Sequence, residues 1–594
     1  MTDPARWGVL TGYRDGSGRW VRADPGVVSS VLSTLSEGED EPSASPLLTV
    51  CPGDRTPIAG VGEVLTEHGS VISCNGFLPE DLPIGYHRLV DRSGERELAV
   101  TPPRCPLPAD LFGWGWSCQL YAARSESSWG LGDLADLREL GRWSTRALGA
   151  RVLMINPLHA DSPTLPQEDS PYYPASRCWQ NVLYLSIEEV PGAAQLGSQL
   201  APLRRAGRML NQNPLIDRNA VYGVKMAALE AIWKQPRDGA PIARWTRQRG
   251  QSLLDWAHFC AISEAHPGSW RNWPEALRRP RSAAVVALAR ERAERVNFHI
   301  WLQWLLDLQL RSAGQSAPLI KDLALGSGPD GADAWIWGEY LQPEFSLGAP
   351  PDSFNSGGQD WQLPPFNPWR LRRAGYGPFK EVLRAAFRHA AGIRIDHVLG
   401  LFRQYWIPTE GESRGGLYVR FPADDLLRIL ALEAHRAGAF VVGEDLGTIA
   451  AGVRQRLAKE HILSCRLLYF ENRPPAAWPV NAVASVTTHD LPTVAGLWSR
   501  HDSEPATRER LRERAELDGA MGQAEVVERT HQALARAPCR LVVGQLDDAL
   551  LVLDRPNRPG TGAESKNWRR ALPRPLEEVF ADPGPARLAA ILAR

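Results

Sequence analysis

Three short apolar runs in this chain close on acidic side chains. Ala391-Gly-Ile-Arg-Ile-Asp-His-Val-Leu-Gly400 alternates apolar residues with Arg394, Asp396 and His397. Ala439-Phe-Val-Val-Gly-Glu-Asp-Leu-Gly447 stays apolar until Glu444, and Ala482-Val-Ala-Ser-Val-Thr-Thr-His-Asp490 holds strand formers until His489 and Asp490. Runs of this kind bounded by glycine read as strands, and the segments between them are long enough for crossover helices, the pattern of βα units around a parallel sheet. In that architecture the C-terminal strand ends carry the chemistry. A single Arg394/Asp396 pair is equally a structural ion pair in a buried strand. Three such ends in a row put three carboxylates around one mouth. Glycosyl transfer asks for a nucleophilic carboxylate on one face of the sugar and a protonated acid on the leaving-group oxygen; a retaining enzyme holds the two about 5–5.5 Å apart.

In order and context, Arg394-Ile395-Asp396-His397, Gly443-Glu444-Asp445-Leu446-Gly447 and Thr488-His489-Asp490 resemble the catalytic motifs of amylomaltases, the 4-α-glucanotransferases of the α-amylase clan. The resemblance implies transfer of α-1,4-glucan segments from a donor maltooligosaccharide to glucose or a maltooligosaccharide acceptor, through a covalent glycosyl-enzyme. Asp396 is then the nucleophile, Glu444 the acid and base, and Asp490 the third acid, binding sugar hydroxyls and favouring ring distortion. An ionised nucleophile wants a cation beside it, and Arg394 on the same strand face suits that need. Asp445 points to the opposite face of a regular strand, which favours a structural role. His489 and His397 are candidate donors to the sugar, each with a packed core histidine as the alternative.

The same resemblance extends to Asp169-Ser170-Pro171-Tyr172, where Tyr172 would stack on a donor-side glucose, although Tyr173-Pro174 differs from many members. Asp322, at the end of Pro318-Leu-Ile-Lys-Asp-Leu-Ala-Leu325, becomes a sugar-hydroxyl ligand, with a helix cap as the alternative. A loop at about 348–365 is similar to the family's substrate-covering loop and brings Asp352, Phe354 and Trp361 to the substrate; Gln362-Leu363-Pro364 replaces the commoner Gly-Asn-Pro there. No metal and no other cofactor is implied. Two rival readings start from the same residues. His159, Asp396, His397, His489 and Asp490 could ligate a metal for hydrolysis, but the usual close His-x-His pair is missing. A plain α-glucan hydrolase on the same barrel is the nearer rival.

The elements that must position these residues make a (β/α)8 barrel of TIM type over 111–594, with strands near Trp114, Arg151, Pro318, Ile393, Phe440, Arg466, Ala482 and Arg540. A helical insertion at about 185–315 carries three- and four-residue apolar spacing, and its tryptophans read as core. Asn557-Arg-Pro-Gly-Thr561 and Asn567-Trp568-Arg569 resemble the family's closing segment. Residues 1–110 read as a separate module: a short helix capped by Asp24, then antiparallel strands punctuated by Pro, Gly and Asp-Arg turns, for which a β-sandwich is expected. Pro102-Pro-Arg-Cys-Pro-Leu-Pro108 is its linker.

Composition narrows the partners. A chain of 594 residues is long enough for a barrel plus additions. Net charge is −1, without a basic block or an acidic tail, so nucleic acid and membrane surfaces are poor partners. The first residues lack a signal-peptide pattern, and cytoplasmic residence is expected. Eight scattered cysteines without zinc spacing read as reduced, mostly buried thiols. Oligomeric state has no sequence signal.

Overall fold

The computed structural model describes residues 3–15, 18–37, 46–351, 357–410 and 415–593. Eight strands close into a barrel in chain order: Gly113–Cys118, Val152–Ile155, Leu319–Leu323, Gly392–Ile395, Phe440–Gly443, Leu463–Leu467, Ala482–Ser485 and Leu541–Gln545. The ladders are parallel, as in Gly115↔Val152, Leu319↔Leu153 and Val543↔Gly115. Residues on both faces of these strands are buried, which is why they read as near-continuous apolar runs instead of alternating ones. The first strand, Gly-Trp-Gly-Trp-Ser-Cys, shows the packing constraint directly. Trp114 and Trp116 lie edge to face with centroids 5.1 Å apart, and a Cβ on Gly115 would fall 2.3 Å from the Val152 carbonyl oxygen. Only glycine lets the second strand come that close. The helix Leu134–Arg142 that follows begins with a capping box, Asp133 accepting from the N–H groups of Ala135 and Asp136 while Asp136 accepts from that of Asp133.

By its contacts the chain divides into two compact units: Met1–Pro108 with Trp337–Arg388 and Ile395–Ser464, and Ala109–Ile336 with His389–Arg394 and Cys465–Arg594. The second unit contains six helices of the inserted region, Gly197–Met209, Arg218–Trp233, Ala240–Arg249, Gln251–Ala265, Ala283–Glu291 and Ala293–Ser316. Trp245, Trp256, Trp273 and Trp301 are buried among them and belong to the core, while Trp233, Trp270 and Trp304 are half-buried.

The first unit holds a two-stranded ribbon, Gly12–Arg14 antiparallel to Trp20–Arg22, and two larger sheets. One is five-stranded, in the order Leu47–Val50, Gly94–Val100, Gly85–Asp91, Pro57–Leu65, Val71–Phe77. A β-sandwich was the expectation; over 1–110 the described residues build the separate two-stranded ribbon and this five-stranded sheet. Ile58, Val64, Cys74, Leu89 and Leu98 form its buried core with Leu78 and Leu82 from the connection between two strands, so that connection supplies cover a second sheet would have supplied. The sheet is tied to other parts of the same unit by charge: Lys380 pairs with Glu97 and Arg436 with Glu67, and Lys380 lies 4.1 Å and Arg436 4.8 Å from the Tyr86 ring centroid. The Pro-rich stretch is fastened too, Cys105 N–H donating to Glu460 O at 3.0 Å and Arg428 to Pro103 O at 2.7 Å. The other sheet is antiparallel, in the order Gln359–Asp360, Phe345–Ala349, Arg403–Pro408, Leu417–Arg420. Among the described residues no helix is long and apolar enough to cross a membrane.

Candidate active site

In the first unit the fourth barrel strand ends at Ile395, so Asp396 is the first residue beyond it. The chain then turns at once. His397 takes left-handed angles, φ 46° and ψ 56°, a conformation that costs a non-glycine residue about 1 kcal/mol or more. The turn aims the His397 N–H at Glu444, donating to Oε2 at 2.8 Å. Glu444, placed immediately after Gly443 at the end of the fifth strand, also accepts from Leu446 N–H on Oε1 at 2.6 Å, and its own backbone bonds to Ile395 O and Val398 N at 3.0 Å each. Each oxygen of this carboxylate therefore accepts from a backbone N–H. Asp445 faces away from it and is fully buried against Arg454 at 2.8 Å, a structural ion pair. The His397 ring meets Trp361 edge-on, centroids 5.2 Å apart. Burial pushes its imidazole below the usual histidine range and Arg403 adds to this, against the pull of Asp396.

In the second unit a hydrogen-bonded chain joins most of the other expected residues. Arg394 Nη1 lies 2.7 Å from both oxygens of Asp322. Tyr172 donates its hydroxyl to Asp322 Oδ2 at 2.6 Å, and the same hydroxyl is 3.2 Å from His489 Nδ1. A hydroxyl that donates to a carboxylate must accept from the ring, so His489 carries a proton on Nδ1. Its Nε2 faces Asp490 Oδ2 at 3.4 Å. Burial works against a charged His489, but Asp490 outweighs it and lifts the imidazole above its ordinary value; Asp490 in turn is held below the carboxylate range by His489, Asn557 and Arg394 despite its own desolvation. The Asp490 side chain keeps 42% of its surface open, so solvent tempers both shifts. Tyr172, His489 and Trp568 pack as an aromatic trio with centroids 4.7, 5.2 and 5.3 Å apart.

Several placements differ from the sequence reading. Asp322 caps no helix; it is the hub between Arg394 and Tyr172. Arg394 has Asp322 as a partner in addition to the role expected for it beside Asp396. Asp490 is not on a strand: the seventh strand stops at Ser485 and the acid sits on the loop after it. What holds that loop was not singled out from sequence. Asn557 Nδ2 donates to Asp490 Oδ1 at 2.7 Å, and Arg555 donates to the Asp490 carbonyl at 2.9 Å while pairing with Asp502 and Glu504. The signal for Asn557 was present, as the first residue of the closing segment. Asp352 and Phe354 lie outside the described residues. His159 is half-buried, and its Nε2 accepts from Ala324 N–H at 3.2 Å. Among the described residues, no three His, Cys, Asp or Glu side chains are grouped to hold a metal ion.

A closed, parallel eight-stranded barrel with an Asp and a Glu just past the ends of adjacent strands is the architecture of a TIM-barrel enzyme. Comparison with known proteins gives a narrower class. Residues 118–576 match the sequence profile of the 4-alpha-glucanotransferase family. The chain is 39% identical to a 4-alpha-glucanotransferase of Mycobacterium tuberculosis over 86% of this chain and 80% of that one, and 30% identical to a 4-alpha-glucanotransferase of Haemophilus influenzae over 84% and 82%. The crystal structure of amylomaltase from Corynebacterium glutamicum superposes with a TM-score of 0.88 at 30% identity, covering 99% of each chain. The chain belongs to the 4-alpha-glucanotransferase family.

Proposed function

We propose that this enzyme, a cytoplasmic 4-α-glucanotransferase, transfers α-1,4-glucan segments between maltooligosaccharides, with glucose as an acceptor, by a retaining double displacement. Asp396 attacks the anomeric carbon of the donor glucosyl unit, forming the carbon–oxygen ester bond as the glycosidic bond breaks. Glu444 gives its proton to the departing oxygen and later takes one from the acceptor hydroxyl, which attacks the ester and regenerates Asp396. Asp490, paired with His489, accepts hydrogen bonds from sugar hydroxyls and favours the positive charge that develops on the ring. Tyr172 offers its ring on the donor side. Trp361 and Phe354 serve the acceptor side, where bulk limits attack by water.

One observation carries this reading furthest: the Glu444 carboxylate is fixed at 2.8 Å to the N–H of the residue that follows Asp396, so acid and nucleophile are held by one backbone turn. Such fixing is what a two-carboxylate mechanism needs, since small errors in reactant geometry cost large factors in rate. The test is incubation with pure maltotriose and chromatography of the products. A ladder of longer maltooligosaccharides together with glucose is expected. Only shorter sugars would make the enzyme a hydrolase.

A further inference from the structure

Residues 4–14 do not belong to the five-stranded sheet of the N-terminal region: Gly12–Arg14 pair with Trp20–Arg22, and residues 8–10 bond to the edge of the sheet whose far strand precedes Trp361. Val9 bridges Val419 in antiparallel fashion, Leu10 N–H donates to Tyr418 O at 2.9 Å and Arg420 N–H to Gly8 O at 2.8 Å. The outer edge of the strand Leu417–Arg420, otherwise open to pairing, is thereby satisfied. Gly8 permits the approach: its φ is +74°, and a Cβ there would sit 3.1 Å from the Arg420 carbonyl oxygen. Trp369 Nε1 donates to Trp7 O at 3.1 Å and closes the start of the arm.

Tyr13 is the anchor. It packs edge-on against Tyr405 and Tyr418, centroids 5.5 and 5.4 Å away, and all three rings are buried. Its hydroxyl lies 3.1 Å from that of Tyr405, which accepts from Gly416 N–H at 2.9 Å. The two tyrosines it grips belong to one rung of the sheet, in which Tyr418 pairs with Tyr405, Tyr405 with Gly348 and Gly348 with Asp360. Trp361 comes next, its N–H donating to Leu347 O at 2.9 Å and its ring against His397. A second link runs through Arg403, whose guanidinium lies 3.9 Å from the Tyr418 ring centroid and whose charge opposes protonation of His397.

We infer that the N-terminal arm is a positioning element for the acceptor side of this enzyme, with Tyr13 as the positioning residue that fixes the rung ending beside Trp361. The inference rests on the proposed role of Trp361. An acceptor is bound by surface that must be in place before water reaches the glycosyl-enzyme, so loosening this rung weakens acceptor binding and leaves the first chemical step intact.

The experiment compares wild type, Tyr13→Ala, Tyr13→Phe and Gly8→Ala, each checked for folding by circular dichroism. Three quantities are read: the ladder-to-hydrolysis ratio from maltotriose, the KM for glucose as acceptor, and the rate of fluoride release from α-maltotriosyl fluoride, which reports the first step alone. Expected for Tyr13→Ala and Gly8→Ala are a several-fold rise in acceptor KM and in the hydrolytic share, with fluoride release unchanged. Tyr13→Phe, which keeps the ring contacts, recovers most of the ratio. Unchanged ratio and KM in the folded alanine variants would overturn the inference, and so would a fall in fluoride release as large as the fall in transfer, the mark of a merely structural role. The wild-type ladder reads the transferase function separately, so its absence points to that reading and not to the arm.

Discussion

Asn557 holds Asp490 twice over: its side-chain amide donates to Asp490 Oδ1 at 2.7 Å, and its backbone N–H donates to the carbonyl of His489, the preceding residue, at 3.0 Å. The acid sits on a loop past the end of its strand, so sheet geometry does not aim it and this clamp does. A hydrogen bond to a charged group is worth about 1.5–3 kcal/mol, which predicts a loss of about tenfold or more in kcat/KM for Asn557→Ala. Asn557→Asp replaces the donor with a second carboxylate and should also move the acid limb of the pH–rate profile upward, because like charges disfavour joint ionisation. An unchanged profile in Asn557→Asp would show that Asp490 is oriented by other groups.

The His489/Asp490 pair gives stability a defined pH window. His489 is raised above its ordinary 6.5, so its contribution is full below that value and is lost as pH climbs through the raised folded value. Asp490 is lowered below its ordinary 3.8, so its contribution is present above 3.8 and is lost as pH falls through the lowered value. The melting-temperature gap between wild type and His489→Gln should therefore be widest between 3.8 and 6.5 and should narrow on the alkaline side. Melting curves across that range measure it. A gap that widens with alkaline pH would contradict the assignment of a protonated ring.

Asp322 accepts from Arg394 and from Tyr172 in a buried setting. Removing one partner of a buried ion pair leaves the other charge uncompensated, at a cost of about 3–5 kcal/mol. Asp322→Asn should lower the melting temperature by several degrees and release Tyr172, so that activity falls further than stability alone explains. Equal melting temperatures would show that Arg394 finds an alternative partner.

How far the sequence carried the reading depends on the range of the interaction. All eight barrel strands were legible, because a strand buried on both faces is a short apolar run ended by glycine or a polar residue, as in Phe440–Gly443 before Glu444. Asp396 and Glu444 were legible for the same reason. Asp490 was found by its motif but misplaced on the strand, since Val486, Thr487 and Thr488 are strand formers that nevertheless lie past its end at Ser485. The Arg394–Asp322–Tyr172–His489 chain joins residues far apart in sequence, and nothing local marks it. The arm at residues 4–14 has no periodicity of its own. Its strand-like contact exists only because the Leu417–Arg420 edge is there to receive it.

The central claim is that Asp396 carries the glycosyl group between donor and acceptor. With Glu444→Gln and α-maltotriosyl fluoride, the fluoride leaves without an acid, while the base needed to release the sugar is missing, so the ester should accumulate. Peptide mass spectrometry after acid quenching measures it directly. A maltotriosyl adduct on the peptide containing Asp396, absent in Asp396→Asn, is the predicted result. An adduct on a different carboxylate, or none at all while fluoride is still released and transfer products form, would contradict the account.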